Sequence, residues 1–154
     1  MSDSYPRMPG DEKSPGRTRH VKYINQLSKI ASDIPTPFNH NARLAACIVG
    51  RSGLISIGVN EKKSHPFQAK YGRNKDSVFL HAETSAIKNA LKYITEKELE
   101  RCTLYICRVK YYDHHKDRMI FGLAKPCLGC FRCITSFGIK KVIYTLDEKG
   151  YDFL

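Results

Sequence analysis

The 154-residue sequence contains no apolar run approaching the roughly 20 residues that span a bilayer, which excludes a transmembrane helix. It also lacks an apolar segment near its start. Met1 to His20 is polar, charged and proline- and glycine-bearing, so no secretory signal is read there and a cytoplasmic location is expected. Acidic residues are scarce beside basic ones: 15 Asp and Glu stand against 26 Lys and Arg, a formal charge of +11. Such an excess draws anionic partners to the surface, phosphate-bearing small molecules and nucleic acid alike, although a merely solvated basic surface carries the same charge. No internal repeat is present. What is present is an apolar share of 42%, that of a globular protein, at a length suited to one domain. Six cysteines in a reducing compartment are expected free, buried or metal-bound rather than paired in disulfides.

Residues 1–19 read as a flexible arm. They hold Pro6, Pro9, Pro15, Gly10 and Gly16, and almost no large apolar residue after Met8 to offset the entropy of ordering. Residues 20–154 read as a single domain. Val21, Ile24, Leu27, Ile30, Ala31 and Ile34 recur at helical spacing, with Lys22, Asn25, Ser28 and Lys29 on the other face, and Pro35 and Pro37 stop the helix. Ala45 to Val49 and Leu54 to Val59 flank Gly50-Arg51-Ser52-Gly53, which predicts a hairpin with a four-residue loop. Asn60 to Leu80 has no clean period and reads as a long basic loop with at most a helical turn, carrying Lys62, Lys63, Lys70, Arg73 and Lys75 with Phe67 and Tyr71 interleaved. A second helix opens at His81, with Ala82, Ala86, Ala90 and Tyr93 along one side. Thr103 to Val109 predicts a third strand, buried on both faces, which Met119 to Leu123 extends or pairs. A third helix starts at Pro126, with Leu128, Phe131, Ile134 and Thr135 inward, and stops at Gly138. Val142 to Thr145 makes a fourth strand. This alternation predicts an α/β fold, a sheet with helices on its faces, in which the last two strands are parallel with a right-handed crossover.

Two short motifs carry the chemistry: His81-Ala82-Glu83 and Pro126-Cys127-Leu128-Gly129-Cys130. Alone, a Cys-x-x-Cys suits a redox pair, half a structural zinc site, or nothing, and a lone His-x-Glu says less. Together they say more, because each opens a predicted helix, and two helix N-termini can meet at one end of a sheet. Cys127 and Cys130, at i and i+3, direct both sulfurs to one point, and His81 brings a nitrogen from the other helix. One nitrogen and two sulfurs suit zinc, and three protein ligands leave the fourth tetrahedral position to water, as in catalytic sites. Zinc brings the pKa of such a water from about 15.7 to about 7. Glu83 is free to take its proton and pass it to a ring nitrogen and a departing amine.

These residues resemble the cytidine deaminase superfamily, whose zinc site is described by this pair of motifs. The likeness covers about Ala45 to Thr145 and is strongest to the deoxycytidylate deaminase branch, bacteriophage-encoded forms included. It implies a three-layer sandwich with a mixed sheet of about five strands flanked by helices. Four strands are clear in the sequence; the fifth comes from the tail near Tyr151 to Leu154 or from a split of the third. The resemblance also implies one zinc ion per chain on His81, Cys127 and Cys130, catalysis by Glu83, and a homo-oligomer. Gly58-Val59-Asn60 is similar to the Gly-x-Asn of deoxycytidylate and tRNA-type deaminases, which implies a substrate contact at Asn60; Ala82 between the two motif residues is placed with it. Asn60 after a strand is equally an ordinary turn residue. Ser85 departs from the branch, which usually carries Asn there.

Of the other cysteines, Cys47, Cys102 and Cys107 read as small core residues and Cys133 as buried behind the site. His65 stands in the basic loop, where it could touch substrate or a second metal; His114 and His115 read as surface residues. For the substrate, a 5′-phosphorylated cytosine nucleotide held by Lys62, Lys63, Lys70 or Arg73 is the leading expectation, in host cytoplasm for a phage-encoded protein. A nucleic-acid deaminase of tRNA adenosine or single-stranded DNA fits the charge and the aromatic residues among basic ones. Free cytidine needs no basic surface, and a non-catalytic zinc-stabilised module would not need Glu83. No membrane partner is expected.

Overall fold

A computed structural model describes residues 5–10, 15–35, 43–61, 65–71, 80–113 and 118–154. Its elements are α1 (Pro15–Ser32), β1 (Arg43–Gly50), β2 (Gly53–Val59), α2 (Pro66–Tyr71), α3 (Ala82–Ala90), α4 (Glu96–Leu99), β3 (Thr103–Tyr111), β4 (Met119–Gly122), α5 (Leu128–Ser136), β5 (Lys141–Thr145) and β6 (Tyr151–Phe153). The strands form one mixed sheet in the order β2-β1-β3-β5-β6, with β4 paired to the far end of β3. β3 and β5, joined through α5, are parallel, and the other pairs are antiparallel. Of the two sources foreseen for a fifth strand, the tail supplies it as β6 while β3 runs unsplit; Met119–Gly122 pairs with β3, as the sequence allowed, and adds β4.

Alternation along the central strands divides the core in two. Ala45, Cys47, Val49, Tyr105, Cys107 and Val109 face α1, where Val21, Ile24, Leu27 and Ala31 pack on them. Ala46, Ile48, Leu104 and Ile106 face the other way, against Ala82, Ala86 and Ile87 of α3 and Cys133 and Ile134 of α5. β1 and β3 are therefore buried on both faces and read as near-continuous apolar runs.

Four local expectations change. α1 starts at Pro15, a favoured first helical residue, and part of the supposed arm is packed: Met8 is buried against α1. Asn25 holds it by accepting from the Met8 N–H at 2.7 Å and donating to its carbonyl at 3.0 Å, while Ser28 donates to the Pro6 carbonyl. The face of α1 read as solvated thus carries this segment. The hairpin loop shrinks to Arg51-Ser52, because Gly50 and Gly53 pair and Gly53 takes φ +123°, which a side chain disfavours. Tyr93 lies beyond the end of α3 and is exposed, not inward; the chain turns there, and Thr95 caps the short α4 by accepting from the Glu98 N–H. In α5 the inward face is Cys130, Cys133 and Ile134, whereas Leu128 and Phe131 are each 45% exposed and Thr135 is exposed too. Gly138 ends α5 as expected, at φ +74°, with Gly138 N–H to Thr135 O and Ile139 N–H to Ile134 O closing the last turn.

One glycine fixes how β2 meets α3. A Cβ on Gly58 would lie 2.3 Å from the Ala86 backbone nitrogen and 2.6 Å from the Ala82 carbonyl oxygen, so the strand approaches the first turns of the helix too closely for any side chain. Gly58→Ala should lower the unfolding free energy by about 1–3 kcal/mol, the usual cost of overpacking, read from the urea midpoint. An unchanged midpoint would contradict this packing.

Candidate metal centre and active-site cleft

α3 and α5 begin side by side at the end of the sheet where β1 starts and β2 and β3 finish. Their N-cap residues are His81 and Cys127, both with extended backbone and neither with a side-chain capping hydrogen bond. Ser, Thr, Asp or Asn normally stands there and turns back onto the helix. Here both side chains point across the gap instead. His81 Nδ1 lies 3.2 Å from Cys130 Sγ and 3.5 Å from Cys127 Sγ. The ligand atoms of the three residues all lie within 4.8 Å of one another.

That set fits zinc. Bonds of about 2.0–2.1 Å to nitrogen and about 2.3 Å to sulfur in a tetrahedron give N···S edges near 3.5 Å. The electrostatics agree. Hydrogen bonds from Cys130 and then His81 pull the Cys127 thiol down to about 3, which favours its thiolate; the hydrogen bond to Cys127 and burial push the Cys130 thiol up. The shared protons are those a zinc ion would displace. Cys133, fully buried in the α3–α5 core, is not in the ligand group among the described residues, and burial pushes its thiol up to about 12. Cys47, Cys102 and Cys107 are buried, as expected of core residues.

Glu83 is 4% exposed in the first turn of α3. Burial pushes its carboxyl up, offset in part by its backbone hydrogen bond and by His81. Such a group holds a proton more readily than a surface carboxylate. Gln68 of α2 supports this turn: its Oε1 accepts from the His81 N–H at 3.1 Å and from the Thr84 hydroxyl, and Thr84 also donates to the His81 carbonyl at 3.1 Å.

A cleft of about 300 Å³ opens over the centre, and Asn60, His81, Ala82, Glu83 and Cys127 all line it. Asn60 has a structural task besides: its Oδ1 accepts from the Leu44 N–H at 2.9 Å, joining the end of β2 to the start of β1. Among the described residues of the 60–80 segment, Lys70 and His65 do not line the cleft. Lys62, Lys63 and Arg73, with Lys75, His114 and His115, lie outside the described residues. Lys70 is exposed, with its Nζ over the Tyr71 ring at 5.5 Å, and His65 Nδ1 accepts from the Phe67 N–H at the start of α2. Phe67 and Tyr71 pack on Phe137, just past the end of α5, so they are not a free stacking platform. Among the described residues, the cations that line the cleft are Arg108 of β3 and Lys125 before α5. Neither was singled out from the sequence, yet Arg108 gave a signal: it interrupts the apolar run Leu104–Val109 on the face it shares with Leu104 and Ile106.

Residues 17–146 match the family described as "Cytidine and deoxycytidylate deaminase zinc-binding region", and the chain belongs to that family. Among solved structures it is similar to the dCMP deaminase of the cyanophage S-TIM5 in apo form, at 18% identity and TM-score 0.53, covering 83% of this chain and 82% of that one. The shared fold is the cytidine deaminase-like α/β sandwich. No curated protein sequence matches the chain. No helix among the described residues is long and apolar enough to cross a membrane.

The donor set separates ligands from neighbours. Cys127→Ala should purify with little zinc and melt earlier, because metal binding contributes to folding. Glu83→Gln should keep one zinc per chain by elemental analysis. Full zinc occupancy in Cys127→Ala, or its loss in Glu83→Gln, would contradict the assignment.

Proposed function

We propose that the protein is a zinc-dependent hydrolytic deaminase of a cytosine nucleotide, converting dCMP to dUMP. The observation that carries this reading is one small cleft lined by His81 and Cys127 of the His81–Cys127–Cys130 donor set, by the buried Glu83 and by two cations. Its volume is at the low end for small-molecule sites and suits a single nucleotide. The same activity is named for the cyanophage relative in fold. Bound zinc would supply water acidic enough to attack C4 of the ring near neutral pH. Glu83 takes one proton from the attacking water and delivers it to ring N3; it then takes the second from the hydroxyl formed on C4 and gives it to the amine, which leaves as ammonia. Its raised affinity for protons and its water-poor surroundings suit this shuttle. Asn60 and Ala82 bound the ring and sugar, and closing the site between neighbouring copies of the chain accounts for the expected homo-oligomer.

A nucleic-acid substrate has one observation in its favour. A second cleft, of about 500 Å³, lies at the opposite end of the sheet and is lined by Arg19, Arg51, Arg101 and Lys141. Zinc-loaded protein incubated with dCMP, CMP, dCTP, cytidine, tRNA and single-stranded DNA should give the one-dalton gain of deamination with dCMP foremost. Glu83→Gln should lower turnover at least about 10²-fold while keeping zinc. Deamination of oligonucleotides but not of dCMP, with log affinity falling about 0.7 per log unit of salt for each phosphate contacted, would overturn the mononucleotide reading.

A further inference from the structure

We infer, resting on the nucleotide reading above, that Arg108 and Lys125, which line the cleft, form the site that recognises the substrate's phosphate group. Arg108 occupies the third position of the β3 face that Leu104 and Ile106 begin, where an apolar residue would continue the core. At that point the first turns of α3 and α5 leave the cleft open, and a guanidinium reaches it.

The surroundings are built for this side chain. Its backbone N–H donates to Thr145 Oγ1 at 3.1 Å, and the buried Thr145 hydroxyl donates to the Gly122 carbonyl at 2.7 Å, locking β5, β3 and β4 together. Gly122 is paired with Arg108, and a Cβ on it would lie 3.0 Å from Arg108 Cγ and Cδ, so the glycine leaves the space that the arginine stem occupies. Arg108 Nε is buried and has no hydrogen-bond partner. A buried donor left unmet costs free energy, and a phosphate oxygen would satisfy it. The nearby carboxylate is otherwise engaged: Asp147 takes Lys110 at 2.9 Å and the Leu123 N–H at 3.1 Å. Lys125 adds a second, exposed cation on the same wall, two residues before Cys127. A planar fork with a point charge beside it is a common pair for a phosphate.

The phosphate could be the monoester of a mononucleotide or the diester beside a base in a strand. The test is equilibrium binding to zinc-loaded protein of deoxyuridine, dUMP and a short single-stranded oligonucleotide with one internal deoxyuridine, measured for the parent, Arg108→Gln and Lys125→Gln. Parent protein should bind dUMP more tightly than deoxyuridine, and Arg108→Gln should weaken dUMP about 10- to 100-fold while deoxyuridine is little changed. Lys125→Gln, at an exposed position, should weaken dUMP in the same direction with its fold undisturbed. Tighter binding of the oligonucleotide, with the same dependence on Arg108, assigns the site to a diester and supports it equally. Equal binding of dUMP and deoxyuridine by the parent, or a preference for dUMP that survives both substitutions, overturns the inference. The two readings fail separately: dCMP turnover with an Arg108-independent phosphate preference removes only this site. Arg108-dependent dUMP binding without dCMP turnover removes only the proposed reaction.

Discussion

Two helix starts must face each other across a gap that one ion can bridge, and much of the molecule is arranged to hold them there. His81 and Cys127 stand at N-cap positions and do not cap. Each helix therefore forgoes the usual capping hydrogen bond, worth about 0.5–2 kcal/mol. Gln68 and Thr84 brace the start of α3, and the bare backbone of Gly58 lets β2 press against its first turns. Parallel pairing of β3 with β5 fixes where α5 can begin. The ligand geometry is thus a consequence of sheet order and close packing, and a metal ion would return the free energy that the uncapped ends give up.

The chemistry of the centre was legible because it is local. His81 and Glu83 are two residues apart, Cys127 and Cys130 three, and each pair opens a helix whose start the sequence marks. The strands were legible where both faces are buried, as in Ala45–Val49 and Thr103–Val109. Legibility failed where a residue's role depends on a distant partner. Ser28 and Asn25 read as a solvated face because nothing local says that Pro6 and Met8 return to cover it. Leu128 and Phe131 read as core because hydropathy cannot show that Cys127, by facing the metal site, turns α5 so that Cys130 and Cys133 point inward. The cations of the 62–75 loop were picked out by charge density, and a cation standing inside an apolar strand, Arg108 of β3, was passed over.

The same division explains how charge is used. A surplus of +11 spread over the chain has little power to specify a ligand. Arg108 differs because its stem lies against Gly122, its backbone is held by Thr145, and its Nε is out of water. Glu83 differs in the same way: burial, not its identity, sets how firmly it holds a proton. Both depart from the rule that charges stay at the surface, and both line the cleft beside the metal ligands.

The central claim is a zinc centre with one imidazole and two thiolates from the chain, open at its fourth position, and X-ray absorption at the zinc edge tests it most directly. Zinc-loaded protein should show two sulfurs at about 2.3 Å and two nitrogen or oxygen neighbours at about 2.0–2.1 Å. A shell with three sulfurs, bringing Cys133 onto the metal and closing the site, would contradict the account.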